Sequence, residues 1–340
     1  MKSPYPQKAM DLLKERPDLA DVYGDIREDL ERVEESLKLF TSSPNRLVSE
    51  INTYLFQRKG KRIRPAILLL CSRLLRYQGD EHILMAALVE FIHTASLIHD
   101  DIIDHADTRR GRDSVHARWG AGVSVLLGDY LYIKSLGLSL ENRHPQIIRL
   151  LTDVSSQMIE GELTEYEMSG NLEMAEQQYL DIIHNKTASL FSTACQIGGI
   201  IAEASREEQS YLFAYGHNLG MTFQIVDDLL DFKGDEKQLG KPTLSDLAEG
   251  RITLPLIYSL NSDGNPSRRR LQRLLENRKS AEETKQEILG IVESTGALDY
   301  TFRRAEEYSL KAREIITQFP ASSHREALSL LSEYILAREK

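Results

Sequence analysis

The sequence predicts an all-α fold built around a central bundle, on three observations. Long segments at 83–105, 146–168, 176–202 and 207–232 carry apolar residues at helical spacing. Strand-like alternation with hairpin turns is scarce. The breaks between these segments are short and recognisable: Arg76 to Asp80, Asn142 to Pro145, Ser169 to Leu172, Gly234 to Pro242 and Asn261 to Pro266. None reads as an interdomain linker, so residues 21–340 are expected to form a single domain.

The elements follow in order. From Tyr23, the residues Ile26, Leu30, Val33 and Leu37 recur every three or four positions with charges between them, which is an amphipathic helix. Residues 1–20 before it, with Pro4, Pro6 and Pro17, read as a loosely attached extension. The run from Ser267 is charged and helical in pattern, with Gly290, Gly296 and Pro320 as breaks.

Composition narrows the function classes. Apolar residues are 41% and charged residues 28% of the 340, which fits a folded protein rather than a disordered one. A net charge of -10 argues against a nucleic-acid partner. Cys71 and Cys195, each among apolar neighbours, do not make a disulfide framework, and a reducing cytoplasm is expected. The N-terminus lacks the pattern of a secretory signal. The longest charge-free stretch, between Lys186 and Glu203, is interrupted by Gly198 and Gly199 and is short for a membrane anchor.

Two acidic boxes carry the chemistry. In HDDIIDHADTRRG, Asp100 and Asp104 lie one helical turn apart on one face, with Asp101 between them; FQIVDDLLDF repeats the spacing with Asp227, Asp228 and Asp231. Such carboxylates suit a hard cation, and Mg²⁺ commonly binds through a few carboxylates plus substrate phosphates. Acidic triplets also mark solvated helix faces. The apolar flanks HTASLI, FQIV and LLDF speak against that for this pair.

Cations suited to phosphate accompany the boxes. Five of the seven residues 58–64 are basic: Arg58, Lys59, Lys61, Arg62 and Arg64, around Gly60. The P-loop pattern of nucleoside-triphosphate enzymes is absent. Arg109 and Arg110 follow the first box. Lys186 and Thr187 read as the opening of a helix, where N–H groups and the dipole favour anions. His93 lies two turns before Asp100 on roughly the same stripe.

The order of these motifs resembles the trans-isoprenyl diphosphate synthases, the polyprenyl synthetase family, over roughly residues 45–260. The matching segments are GKRIRP at 60–65, HDDIID at 99–104 with RRG at 109–111, GD at 128–129, KT at 186–187, FQIVDDLLDF at 223–232 and GKPTLSDLAEGRITLP at 240–255. The resemblance implies an isoprenoid-synthase-like helical bundle around a deep central cavity, usually dimeric. It implies that Lys61, Arg64, His93 and Arg110 hold isopentenyl diphosphate, while Arg109, Lys186, Thr187, Gln224 and Lys241 hold the allylic diphosphate. Asp100, Asp104 and Asp227 would be the leading Mg²⁺ ligands, supported by Asp101, Asp228 and Asp231. Arg251 stands where much of the family has lysine, and is a secondary phosphate-site candidate.

The implied reaction is a Mg²⁺-dependent 1'-4 head-to-tail condensation. Four and five positions before the first aspartate, bulky aromatics close the family's cavity for short products; here those positions are Ser96 and Ala95. With one helical turn rising about 5.4 Å, near the length of an isoprene unit, an open upper tunnel predicts a product of roughly thirty to fifty carbons. Phe91 or residues near Met158 are candidates for a deeper floor.

The alternatives are a short-chain synthase and the catalytic subunit of a heteromeric synthase. A terpene cyclase is a further reading, but it needs no second diphosphate site. A ferritin-like dimetal bundle is prompted by Glu90 to His93, but the only other Glu-x-x-His, Glu141 to His144, falls in a polar break. A homodimer without a membrane anchor, in transient contact with membrane through its apolar product, is expected.

Overall fold

The computed structural model describes residues 17–57, 60–109, 111–141, 143–233, 243–261, 266–276 and 282–338. Arg58, Lys59, Arg110, Lys241, the break at Gly234 to Pro242 and all but the last four residues of the N-terminal extension lie outside the described residues.

Short α1 (Leu19–Val22) leads into α2 (Arg27–Phe40), α3 (Arg46–Phe56), α4 (Ile63–Leu74) and α5 (Glu81–Ile103). A two-residue hairpin, β1 (Thr108–Arg109) with β2 (Arg112–Asp113), follows the first box and is the one sheet among the described residues. Then come α6 (Val115–Trp119), α7 (Ala121–Ser139), α8 (Pro145–Glu167) and α9 (Glu176–Ile183). A π-turn at His184–Ala188 joins α9 to α10 (Ser189–Ile201), and α11 (Arg206–Lys233) carries the second box. The chain ends through α12 (Ser245–Ala248), α13 (Leu254–Leu260), α14 (Pro266–Glu276), α15 (Glu282–Ser294), α16 (Ala297–Ile316) and α17 (Ser323–Leu336). The fold is all-α, as the periodicity predicts.

Local chemistry sets the helix ends. Asn45 starts α3 by accepting from the Leu47 and Val48 N–H groups at 3.0 and 3.3 Å, and Pro145 opens α8, where its missing N–H costs nothing. Gly296, at φ 74°, separates α15 from α16. Gly290, in contrast, does not break α15: it faces solvent while Ile288 and Val292 bury the opposite side, and burial outweighs a glycine penalty of about 1 kcal/mol.

Two apolar clusters form the core. One gathers α4, α5 and α10 with the first half of α11, through Leu68, Phe91, Phe191 and Tyr215; the other gathers the second half of α11 with α9, α13 and α16, through Ile225, Leu229, Leu256 and Phe302. Helix α11 therefore reaches both clusters, and its box lies in the half packed in the second. Helix α5 is long and apolar enough to cross a membrane, but 67% of its most apolar window is buried inside the protein.

One basic residue of the 58–64 run serves this scaffold. Arg62 adopts φ 51° just before α4, and its guanidinium lies 2.6 Å from Glu34 of α2 and 2.5 Å from Glu90 of α5. All three side chains are at most 9% exposed. Removing the cation would strand two buried carboxylates. Arg62→Ala is expected to cost about 3–5 kcal/mol in urea unfolding, well beyond a surface-charge change.

Candidate active site

A cavity of about 790 Å³ lies between the two boxes. From α5 it receives Glu90, His93, Ser96, Leu97, Asp100 and Asp104, and from α11 Phe223, Gln224, Asp227 and Asp228. Helical spacing explains the stripe on α5: positions 93, 97, 100 and 104 recur on one face. Ala95 is two residues from both 93 and 97, roughly opposite that face. It is fully buried and does not line the cavity, so of the two positions assigned to chain length only Ser96 faces this space. Met158 lines the cavity; Phe91 packs instead against Phe56, ring centroids 5.8 Å apart.

The six aspartates divide by role. Asp100, Asp104, Asp227 and Asp228 line the cavity. Asp101 is turned back and accepts from Arg109 Nε at 2.6 Å. Asp231 accepts from the Ser245 N–H and hydroxyl at 3.0 and 2.6 Å and from the Asp246 N–H at 3.1 Å, holding the first turn of α12. Asp228 accepts from Tyr179 at 2.6 Å and from Gln224 Nε2 at 2.8 Å, and Gln224 accepts from Thr187 Oγ1 at 2.8 Å. Thus Thr187 reaches the second box through Gln224.

The cations occupy two sides. On one, Arg64 NH1 stands 3.1 Å from His93 Nε2, the Arg64 guanidinium lies over Phe191 at 4.6 Å, and Lys61 Nζ is 5.7 Å from the Tyr334 ring centre. On the other, Lys186 Nζ is 2.6 Å from Glu162 and 2.5 Å from Glu165, while Arg251 contacts Asp104 at 2.5 Å, Glu249 at 2.7 Å, and Asp246 and Glu165 at 3.3 Å. Arg251, a secondary candidate by sequence, is thus the cation that joins the first box to α8 and α12. A guanidinium can serve four carboxylates at once in a way that an ammonium cannot.

Lys186 and Thr187 do not open a helix. They sit in the π-turn inside a continuous helical run from α9 to α10, so the anion site expected from a helix N-terminus is not formed there. The extra residue of the π-turn swings Lys186 toward α8. Gly161 permits the approach: a Cβ there would meet the Lys186 backbone N at 2.7 Å.

Sequence reasoning missed Arg338, Glu162 and Glu165. Arg338 follows α17 with its side chain 4% exposed, donates to the Phe223 carbonyl at 2.7 Å and to Asp227 at 2.9 Å, and lies over the Phe223 ring at 3.9 Å. Its Nε is buried without a hydrogen-bond partner and the residue lines the cavity. Glu162 and Glu165 belong to GELTE, whose i, i+3 spacing places both on one face of α8, but nothing in that pattern names their partners.

The donor set suits a hard divalent ion: carboxylate oxygens from two helices facing one space. Among the described residues no three of His, Cys, Asp and Glu stand together as a closed metal site. An ion would take one or two carboxylates and complete its shell with phosphate oxygens and water, which is the habit of Mg²⁺ rather than of a structural site. The Glu90 to His93 pair does not form a dimetal site; Glu90 is given to Arg62 and His93 to Arg64.

Burial in the cavity wall pushes the Asp100 carboxyl up to about 7, with Lys186 opposing it and Glu162 adding to it. Burial likewise pushes Asp228 up to about 7, against the hydrogen bond from Tyr179.

This fold, with two aspartate boxes and flanking cations around one cavity, defines a helical prenyltransferase. The chain belongs to the polyprenyl synthetase family, whose model matches residues 45–292. It is 35% identical over 299 residues to the octaprenyl diphosphate synthase of Escherichia coli, covering 88% of this chain and 92% of that one. It is 32% identical to heptaprenyl diphosphate synthase component 2 of Bacillus subtilis, covering 93% and 90%. A crystal structure of polyprenyl synthase from Caulobacter crescentus, complexed with calcium and isoprenyl diphosphate, superposes with a TM-score of 0.90 at 32% identity, covering 95% of this chain and 98% of that one.

The raised Asp100 has a testable consequence in protein kept free of divalent ions with a chelator. A carboxyl raised in the folded state binds a proton that the unfolded chain has lost, so its stabilising share is complete below the ordinary carboxylate range and is lost as pH rises through about 7. Asp100→Asn should therefore raise Tm, relative to the parent, by more at pH 8 than at pH 5; an equal shift at both would show that Asp100 is not held up by burial.

Proposed function

We propose that the protein is a long-chain trans-polyprenyl diphosphate synthase, extending an allylic diphosphate by successive 1'-4 condensations with isopentenyl diphosphate and using Mg²⁺. The observation that carries this reading is that one cavity joins two separate cationic groups, Lys61–Arg64–His93 and Lys186–Arg251, across a pair of aspartate boxes. Two anionic substrates need two such places. A cyclase with one diphosphate does not.

The roles follow from position. Asp100, Asp104 and Asp227 would hold Mg²⁺, with Asp228 behind them. The ion supplies positive charge that stabilises the departing diphosphate. Lys186, Arg109 and Arg251 add fixed positive charge at that end, and Thr187 with Gln224 supplies neutral hydrogen-bonding groups. Lys61, Arg64 and His93 orient isopentenyl diphosphate so that its double bond faces the allylic carbon. As the allylic carbon–oxygen bond breaks, that double bond attacks the carbocation; a proton then leaves to the released diphosphate, giving an allylic diphosphate longer by one unit. Leu97, Met158, Met174, Ile182 and Phe223 keep water from the carbocation and accept the growing chain. The family resemblance assigns Arg110 to isopentenyl diphosphate and Lys241 to the allylic diphosphate; both lie outside the described residues.

The small Ser96 side chain on the cavity face supports a long product. Ser96→Phe is expected to shorten the product ladder, read by mass spectrometry. Ala95→Phe should chiefly overpack the core, lowering stability by about 1–3 kcal/mol.

A single domain spanning 21–340, acting as a homodimer in the cytoplasm, belongs to the same reading. Helix α11, which reaches both core clusters, supports the first point. The second is supported by exposed apolar stripes on packed neighbours α7 and α8: Leu126 (71%) and Ile133 (71%), with Leu140 (69%) just beyond the end of α7, and Leu163 (63%) and Tyr166 (73%) on α8. Heptad spacing puts Leu126, Ile133 and Leu140 on one side, and a second copy of this face is the occupant that would cover it.

The decisive experiment incubates the purified chain with Mg²⁺, isopentenyl diphosphate and a panel of allylic primers. Elongation to long products, with light scattering at twice the chain mass, is expected. The similarity to a protein named component 2 favours one rival, a catalytic subunit inactive alone; activity only on adding a second protein would establish it. Failure with every primer and partner would remove the synthase reading.

A further inference from the structure

Glu165 lies outside both aspartate boxes, in the last turn of α8, yet it holds the centre of the cationic side of the cavity. Its Oε2 is 2.5 Å from Lys186 Nζ and 3.3 Å from Arg251 Nε. One anionic oxygen thus stands between two cations that come from different elements, the π-turn and the segment before α13. All three side chains are about one-fifth exposed and line the cavity. Glu162 contacts Lys186, and Asp104, Asp246 and Glu249 contact Arg251, whereas Glu165 contacts both cations.

The geometry is that of a charge-assisted contact to a phosphate oxygen, with a carboxylate as the anion. Burial works against both cations, and Glu165 is the first carboxylate that reverses it, leaving both well above their usual ranges. Without an anion between them, Lys186 and Arg251 would repel each other, each held only by its remaining carboxylates. With Glu165 between them they are held at the spacing of one shared oxygen, but that place is taken.

We propose that Glu165 is a built-in competitor for the diphosphate subsite formed by Lys186 and Arg251. It keeps the two cations in register while the site is empty and lowers the affinity of the subsite for diphosphate. The inference rests on the reading of Lys186 and Arg251 as diphosphate-binding. Its functional sense is turnover: each condensation releases inorganic diphosphate, and a carboxylate that reclaims both cations speeds that release. Glu165 is therefore a positioning residue, and its sign is the reverse of a ligand's: removing its charge strengthens binding.

The test is calorimetric titration of inorganic diphosphate into the whole protein with a chelator present, so that no divalent ion takes part. Glu165→Gln, which keeps size and one acceptor oxygen, is expected to bind diphosphate at least about tenfold more tightly than the parent, equivalent to about 1.4 kcal/mol. Glu165→Ala, which removes the competitor altogether, should shift the same way, with far-UV circular dichroism showing that both variants are folded. Adding Lys186→Ala to Glu165→Gln should abolish the gain. Unchanged, weaker or undetectable binding in both single variants overturns the proposal, because a structural or metal-ligating Glu165 cannot give tightening under these conditions. The elongation assay separates the two readings: elongation without tightening removes the competitor alone, and tightening without elongation removes the synthase alone.

Discussion

Charge matching across helices is the constraint on which the rest of this molecule depends. Five of the six box aspartates are engaged from other parts of the chain: Asp101 by Arg109, Asp104 by Arg251, Asp227 by Arg338, Asp228 by Tyr179, and Asp231 by the start of α12. Unpaired, these carboxylates would be costly in an apolar bundle. Paired, they tie α5, α11 and the C-terminus to one arrangement around one space. Asp100 has no partner of that kind, and burial holds its proton, like that of Asp228, to about pH 7.

That matching also describes a site in waiting. Lys186 and Arg251 are held by protein carboxylates, and Asp101, Asp104 and Asp227 by protein cations. On the proposed reading, a diphosphate arriving with a divalent ion would exchange both kinds of partner at once, so neither charge need be exposed alone in a medium of low polarity. The exchange is local because the helices beneath it are fixed by packing, as at Gly161, where α8 approaches the π-turn too closely to admit a side chain.

The resemblance to a family and the periodicity of the chain made much of this legible. The long helices fall where apolar spacing places them, and the boxes fall on α5 and α11. Less legible was which side of a helix each neighbour takes. Ala95 and Ser96 are adjacent in sequence, yet only Ser96 meets the cavity, since one residue is a 100° rotation. Arg62 and Arg64 sit in one basic run, yet the left-handed backbone at Arg62 sends it to Glu34 and Glu90 and leaves Arg64 beside His93.

The sequence by itself determined the helical class, the two boxes and the chemistry they share, because helical period and carboxylate spacing are local properties. Only the tertiary structure decided that Lys186 lies in a π-turn, that Arg251 guards Asp104, and that Arg338 and Glu165 belong to the cavity. Arg251 and Asp104 are 147 positions apart, and Arg338 and Asp227 are 111. Contacts at such separations are set by how helices pack, and no local pattern carries them.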